Sequence, residues 1–79
     1  MERIAKIIIE TAKQTIRYTE DYIIKGMSEE KEARLWESTY DNIKGMVYAL
    51  MNINDYEIED YPIRVLYKLL EIVDKKIRS

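Results

Sequence analysis

The sequence contains no cysteine and no histidine, and these two absences exclude several kinds of chemistry. Without cysteine the chain forms no disulfide and offers no thiolate to a metal ion. Without histidine it lacks the commonest general base and the commonest ligand of transition metals. Glycine is scarce too. The two glycines, Gly26 and Gly45, cannot provide the fixed glycine spacing of a dinucleotide-binding loop or a P-loop. We therefore expect no enzyme activity, no cofactor and no metal ion.

Long hydrophobic runs are also missing. The longest purely aliphatic run, residues 7–9, is far too short for a membrane span or for the core of a signal peptide. Of the 79 residues, 47% are hydrophobic and 35% are charged, which is the balance of a folded chain rather than a disordered one. This length supports one hydrophobic core. We expect a single domain, residues 1–79, in a cytoplasmic protein.

The net charge of −2 hides an uneven distribution of charge along the chain. Residues 20–60 hold eleven acidic and four basic side chains, whereas both ends are mildly basic. A chain of this kind can dock onto a partner of complementary charge.

Apolar residues recur at steps of three and four through the first two thirds of the sequence, which predicts two helices at about 2–25 and 28–51. The core stripe of the first helix is Ala5, Ile9, Ala12, Ile16 and Ile23, and that of the second is Ala33, Trp36, Tyr40, Ile43, Val47 and Leu50. We expect Gly26 to cap the end of the first helix and Ser28 to cap the start of the second. Gly45, inside the second helix, indicates a close helix contact, a slight kink or a tolerated glycine.

A third helix is predicted at about 61–77, because Pro62 fits the first turn of a helix. Its core stripe is Ile63, Leu66, Leu70, Val73 and Ile77. The fold class is therefore all-α, a three-helix antiparallel bundle. The third helix is apolar around more than half of its circumference, which exceeds what such a bundle needs. We expect a homodimer that buries Val65, Leu69 and Ile72 of this helix.

The segment between the second and third helices, residues 52–62, combines four carboxylates with isoleucine and tyrosine. In the simpler interpretation Ile53 and Ile58 pack against the end of the bundle, Asp60 caps the third helix and the other acids are solvated. In the alternative the segment is a docking site for a basic partner surface. That site would consist of Asp55, Tyr56, Glu57, Glu59 and Tyr61, joined by Glu29, Glu30, Glu32, Glu37 and Asp41.

Two carboxylate pairs have the spacing of a magnesium site between helices, Glu29-x-x-Glu32 and Glu71-x-x-Asp74. They resemble the E-x-x-E and E-x-x-D helices that hold Mg²⁺ in the all-α nucleotide pyrophosphohydrolases of the MazG type. The resemblance implies a metal-dependent nucleotide hydrolase. Charges that favour a helix N-terminus and i, i+4 ion pairs explain the same four residues.

The third helix is also basic, with Arg64 and Lys68 followed by Lys75 and Arg78. A basic last helix in a three-helix domain is typical of a helix-turn-helix DNA reader. The connection before it is too long for the tight turn of that motif, and the chain as a whole is acidic. The function that we expect from the sequence is a non-catalytic protein-interaction module, a regulator or inhibitor that binds a partner protein. A DNA-binding regulator is the first alternative and the nucleotide hydrolase is the second.

Overall fold

A computed structural model describes residues 2–78, and this part of the chain folds into three α-helices without any β-strand. The helices are α1 (Arg3–Tyr22), α2 (Glu29–Ile53) and α3 (Tyr61–Arg78). All three pairs of helices are in contact, and α2 and α3 form the most extensive of the three contacts. The predicted all-α, three-helix fold is confirmed. Short connections between packed helices are the arrangement of an antiparallel bundle.

The first helix ends three residues before its predicted end. Ile23 already has an extended backbone, and its N–H closes the helix by donating to the Thr19 carbonyl. Its side chain is half-buried against the core. Gly26 does not cap α1, although its φ of +93° is in the range that favours glycine. It lies in a turn closed by a bond of 3.2 Å from the Met27 N–H to the Ile24 carbonyl.

The second helix begins as predicted and ends two residues later. The Ser28 hydroxyl oxygen accepts a hydrogen bond of 3.2 Å from the Lys31 N–H, which confirms the predicted cap. Asn54 ends the helix, and its N–H donates to the Leu50 carbonyl. Gly45 is exposed, and a Cβ atom built there would have no neighbour within 4 Å. The close contact considered for Gly45 is therefore absent among residues 2–78.

The core is formed by one face of each helix, as the periodicity predicts. Its buried hydrophobic residues are Ala5, Ile9, Ala12, Trp36, Ile43, Val47, Leu50, Ile63, Leu66, Leu70 and Val73. Thr39 is the buried polar residue, and the sequence does not indicate it. Pro62 is also buried in the first turn of α3. No helix of residues 2–78 is both long and apolar enough to cross a membrane.

Much of the surplus apolar surface of α3 is used within the chain. Val65 and Leu69 are half-buried and pack against the core cluster. Ile72, the third residue of the expected dimer contact, is 47% exposed. The width of the apolar face on α3 therefore does not by itself require a second copy.

Candidate protein-interaction surfaces

The strap, residues 54–60, is an ordered connection that backbone and side-chain hydrogen bonds hold in one shape. Asp55 has a φ of +58°, in the left-handed region that Asp tolerates better than most residues. The chain then turns back, so that the Tyr56 N–H donates to the Leu50 carbonyl at 3.1 Å. Further along, the Glu57 N–H donates to Oδ2 of Asp60 at 2.7 Å, and the Asp60 N–H donates to the Glu57 carbonyl at 3.0 Å.

The chain after α2 attaches to the bundle through Tyr56 of the strap, and not through Ile58 or through Ile53, the last residue of α2. Ile53 and Ile58 are 77% and 58% exposed, so the prediction that they pack against the bundle end is wrong. Tyr56 is half-buried against the core instead, and its hydroxyl donates to Oε1 of Glu2 at 3.2 Å. Partial burial raises the pKa of Tyr56, and the hydrogen bond to Glu2 with the negative charges of Glu2 and Asp60 raises it further. Tyr56 therefore ties the strap to the start of α1.

Asp60 acts within the strap rather than as a side-chain cap of α3. Its backbone carbonyl accepts the first helical bond, from the Arg64 N–H at 3.0 Å. Its carboxylate points backwards to the Glu57 N–H. The predicted capping residue therefore lies at the expected position, while its side chain stabilises the loop before the helix.

Three carboxylates of the strap are exposed, those of Asp55, Glu57 and Glu59. None of them forms an ion pair or a side-chain hydrogen bond with residues 2–78. Tyr61, just after the strap, is 62% exposed. The strap therefore presents negative charge next to the exposed apolar side chains of Ile58 and Tyr61.

The acidic residues in the first turn of α2 do not join this group. Glu29 lies in the first turn of α2 and the strap follows its last turn. At a rise of about 1.5 Å per residue, a helix of this length separates its two ends by about 36 Å. The helix therefore keeps Glu29, Glu30 and Glu32 away from the strap. Glu37 and Asp41 lie in the middle of α2, and at the same rise per residue Asp41 is about 18 Å along the axis from the last residue of the helix.

The structure does not assemble the carboxylate pairs of the hydrolase hypothesis into a metal site. Among residues 2–78, no group of three or more acidic side chains is close enough together to hold a metal ion. Asp74 instead pairs with Arg78 at 3.0 Å, as the helical spacing suggests. The basic side chains of the DNA-reader hypothesis, Arg64, Lys68 and Lys75, are exposed on α3.

A surface that the sequence analysis did not single out lies on α1. With about 100° of rotation per residue, all charged residues of α1 fall within a sector of about 100°. Beside this sector, and centred about 120° from its middle, the helix displays a row of uncharged side chains along its whole length. We call this row, together with the neighbouring polar residues of α2, the neutral face. It consists of Ile4, Ile7, Thr11, Gln14, Thr15, Tyr18 and Tyr22 on α1 and of Ser38 and Asn42 on α2.

The apolar members of the neutral face are well exposed. Ile4 and Ile7 are 49% and 54% exposed, and Tyr18 and Tyr22 are both 65% exposed. The spacing of Ile4, Ile7, Thr11, Tyr18 and Tyr22, at helical steps of three and four or their sums, is the signal that could have revealed this face. This face is hard to recognise in the sequence because several of its residues are threonine, glutamine or tyrosine. A simple division into apolar and polar residues classes these three types as solvent-facing.

A groove of about 260 Å³ joins the α1 and α2 parts of the neutral face. Its walls are Thr15, Tyr18, Thr19, Tyr22, Leu35, Ser38, Thr39 and Asn42, without a charged residue. At its floor the hydroxyls of Thr19 and Thr39 share one hydrogen bond, and the hydroxyl that accepts it donates to a carbonyl of its own helix. No buried side-chain polar atom of residues 2–78 lacks a hydrogen-bond partner. The groove therefore holds no unsatisfied group that would call for a small polar ligand.

Comparison of the chain with known proteins gives no match to a family model and no significant match to a curated protein or a solved structure.

Proposed function

We propose that this protein is a small non-catalytic interaction module, a cytoplasmic homodimer that acts as a regulator or inhibitor by binding a partner protein. The observation that carries the proposal is the ordered strap, which presents Asp55, Glu57 and Glu59 beside exposed Ile58 and Tyr61. Apolar anchors within a polar rim are the usual arrangement of protein-binding surfaces. The partner surface that fits is basic, with room for a tyrosine ring.

The order of the strap supports binding because a preformed loop loses little conformational entropy when it docks. The bonds from Tyr56 to Leu50 and from Glu57 to Asp60 fix the backbone on both sides of the exposed carboxylates. In this proposal Tyr56 holds the strap in place, while Tyr61 contacts the partner. The role of Tyr56 therefore differs from the sequence prediction, in which Tyr56 is one of the residues that bind the partner.

The test uses tagged protein in extracts of its native host, with bound proteins measured by quantitative mass spectrometry. One variant neutralises the strap with Asp55→Asn, Glu57→Gln and Glu59→Gln; asparagine also tolerates the left-handed backbone at position 55. A matched control neutralises three exposed carboxylates elsewhere, with Glu37→Gln, Asp41→Asn and Glu71→Gln.

We expect the wild type and the control to recover the same partner and the strap variant to lose it. With the purified partner, the strap variant should associate more slowly and with a weaker dependence on salt, since charges at an interface rim act mainly on the association rate. Equal recovery by the strap variant and the control would refute the strap as the binding surface.

A DNA-binding function is the second candidate, and the exposed Arg64, Lys68 and Lys75 of α3 are the observation that favours it. Binding to phosphates would make the affinity for DNA fall steeply with salt. A sequence-specific gel shift that is lost in an Arg64→Glu, Lys68→Glu variant would establish this function in place of the proposed one.

A further inference from the structure

We propose that the second copy of the homodimer binds the neutral face of α1 and α2, and not α3. This inference rests on the homodimer of the proposed function and assigns its surface. In a two-fold dimer the same patch of each chain faces its counterpart, and a residue on the axis meets its own copy, so a charged group there meets a like charge. The neutral face avoids this repulsion because none of its residues is charged. Its edge is charged, since Arg3, Lys6 and Glu10 line a groove together with Ile7, Thr11 and Gln14.

The threonines of the neutral face are prepared for burial. The Thr11 hydroxyl donates to the Ile7 carbonyl and the Thr15 hydroxyl to the Thr11 carbonyl, each at 2.8 Å. Such bonds satisfy the hydroxyl hydrogen within the helix and leave the methyl group for contact. Covering these side chains with a second copy therefore strands no hydrogen-bond donor, which is the usual cost of burying a polar surface.

The area of exposed surface fits one further interface of ordinary size. The chain exposes 5838 Å² and has extents of 42 × 19 × 16 Å. A compact monomer of its 9.5 kDa exposes on average about 5,000 Å². The excess of about 800 Å², which is spread over the whole narrow chain, is comparable to the area that one partner buries in a standard interface. The narrow shape produces this excess, and side-by-side pairing along α1 would remove it.

The surface of α3 is a weaker candidate for the same contact. Val65 and Leu69 already pack against the core, and Ile72 is followed by Lys75 and Lys76 on the exposed side of the helix. A two-fold contact with its axis close to these two residues would bring lysines of the two copies near each other. On α1, in contrast, Ile4, Ile7, Tyr18 and Tyr22 offer four exposed apolar side chains in one row.

The experiment compares two isoleucines of similar exposure, Ile7 at 54% and Ile72 at 47%. Wild type, Ile7→Lys and Ile72→Lys are examined by light scattering and sedimentation at high micromolar concentration. Tyr18→Lys serves as a second variant of the neutral face, and circular dichroism checks that each variant keeps its helix content.

We expect wild type and Ile72→Lys to have twice the 9.5 kDa of one chain, and both Ile7→Lys and Tyr18→Lys to be monomers with unchanged helix content. A monomeric wild type would refute the homodimer itself. A dimeric wild type that Ile72→Lys dissociates, or that both neutral-face variants leave intact, would refute the assigned surface while the homodimer stands. Neither result depends on the strap, which the partner-recovery experiment tests separately.

Discussion

Replacing either of the two glycines by alanine is expected to change the stability of the protein, and the two changes should have opposite signs. Gly45 lies inside α2, on its exposed side, with no atom within 4 Å of the position of an added Cβ. Alanine there gains about 1 kcal/mol of helix propensity at no steric cost. For a domain of this size that gain raises Tm by about 4–8 °C. Gly26, in contrast, has a φ of +93°, and alanine in the left-handed region costs about 1–2 kcal/mol.

The assay is thermal and urea unfolding of Gly45→Ala, Gly26→Ala and wild type, followed by circular dichroism at low protein concentration. The dilution matters because a second copy near α2 would add its own contribution to the stability of a dimer. Gly26→Ala is the control for a general effect of exchanging glycine for alanine, since it reduces the entropy of the unfolded chain in the same way. A destabilised Gly45→Ala would refute the open surroundings of Gly45 and would indicate a neighbouring atom at that position.

Three further substitutions test other parts of the structure. Leu66→Ala, at a fully buried site, should cost about 2–5 kcal/mol in urea unfolding, whereas Ile72→Ala should cost well under half of that; equal losses would contradict the assigned core. Asp60→Ala should speed hydrogen exchange of the Glu57 amide while leaving that of Ile63 unchanged. The reverse result would mean that the Asp60 side chain caps α3. The pKa of Tyr56 is raised by folding, so its contribution to stability is present below the unfolded pKa and is lost as the pH rises through the folded one. In Tyr56→Phe the free energy of unfolding should therefore fall less steeply with pH above about pH 10 than it does in the wild type. An unchanged pH dependence would contradict the hydrogen bond from Tyr56 to Glu2 as a source of stability.

The regular part of the fold could be predicted because helical periodicity is a local signal. On α2 the spacing predicts a buried stripe, and Trp36, Ile43, Val47 and Leu50 are buried. On α3 the same holds for Ile63, Leu66, Leu70 and Val73. The end of α1 could not be predicted in the same way. Gly26 has the chemistry of a helix cap, but Ile23 leaves the helix three residues earlier and packs against the core. The packing of Ile23 against the core therefore determines where α1 ends, and this end comes earlier than the local helix-capping signal predicts.

The strap shows why apolar residues in a loop cannot be assigned to the interior from sequence alone. Its isoleucine and its tyrosine are equally able to pack against the bundle. Which of them does so depends on the direction of the backbone, and the left-handed Asp55 turns the chain so that Tyr56 meets the core while Ile58 is exposed. Glycine usually signals a left-handed position. Because Asp55 provides it here, the sequence contained no clear sign of the turn.

The two proposed surfaces differ in charge, and salt therefore offers a way to separate them. The neutral face contains no charged residue, so self-association through it should vary little with ionic strength, apart from the general strengthening of apolar contacts by salting-out salts. The strap presents three unpaired carboxylates, whose attraction to a basic surface is screened over about 10 Å at 0.1 M salt. Raising sodium chloride from low to physiological concentration should slow partner association and leave the dimer mass unchanged in light scattering. Dissociation of the dimer over the same range would mean that charged side chains carry the contact between the copies. The neutral face would then be the wrong surface.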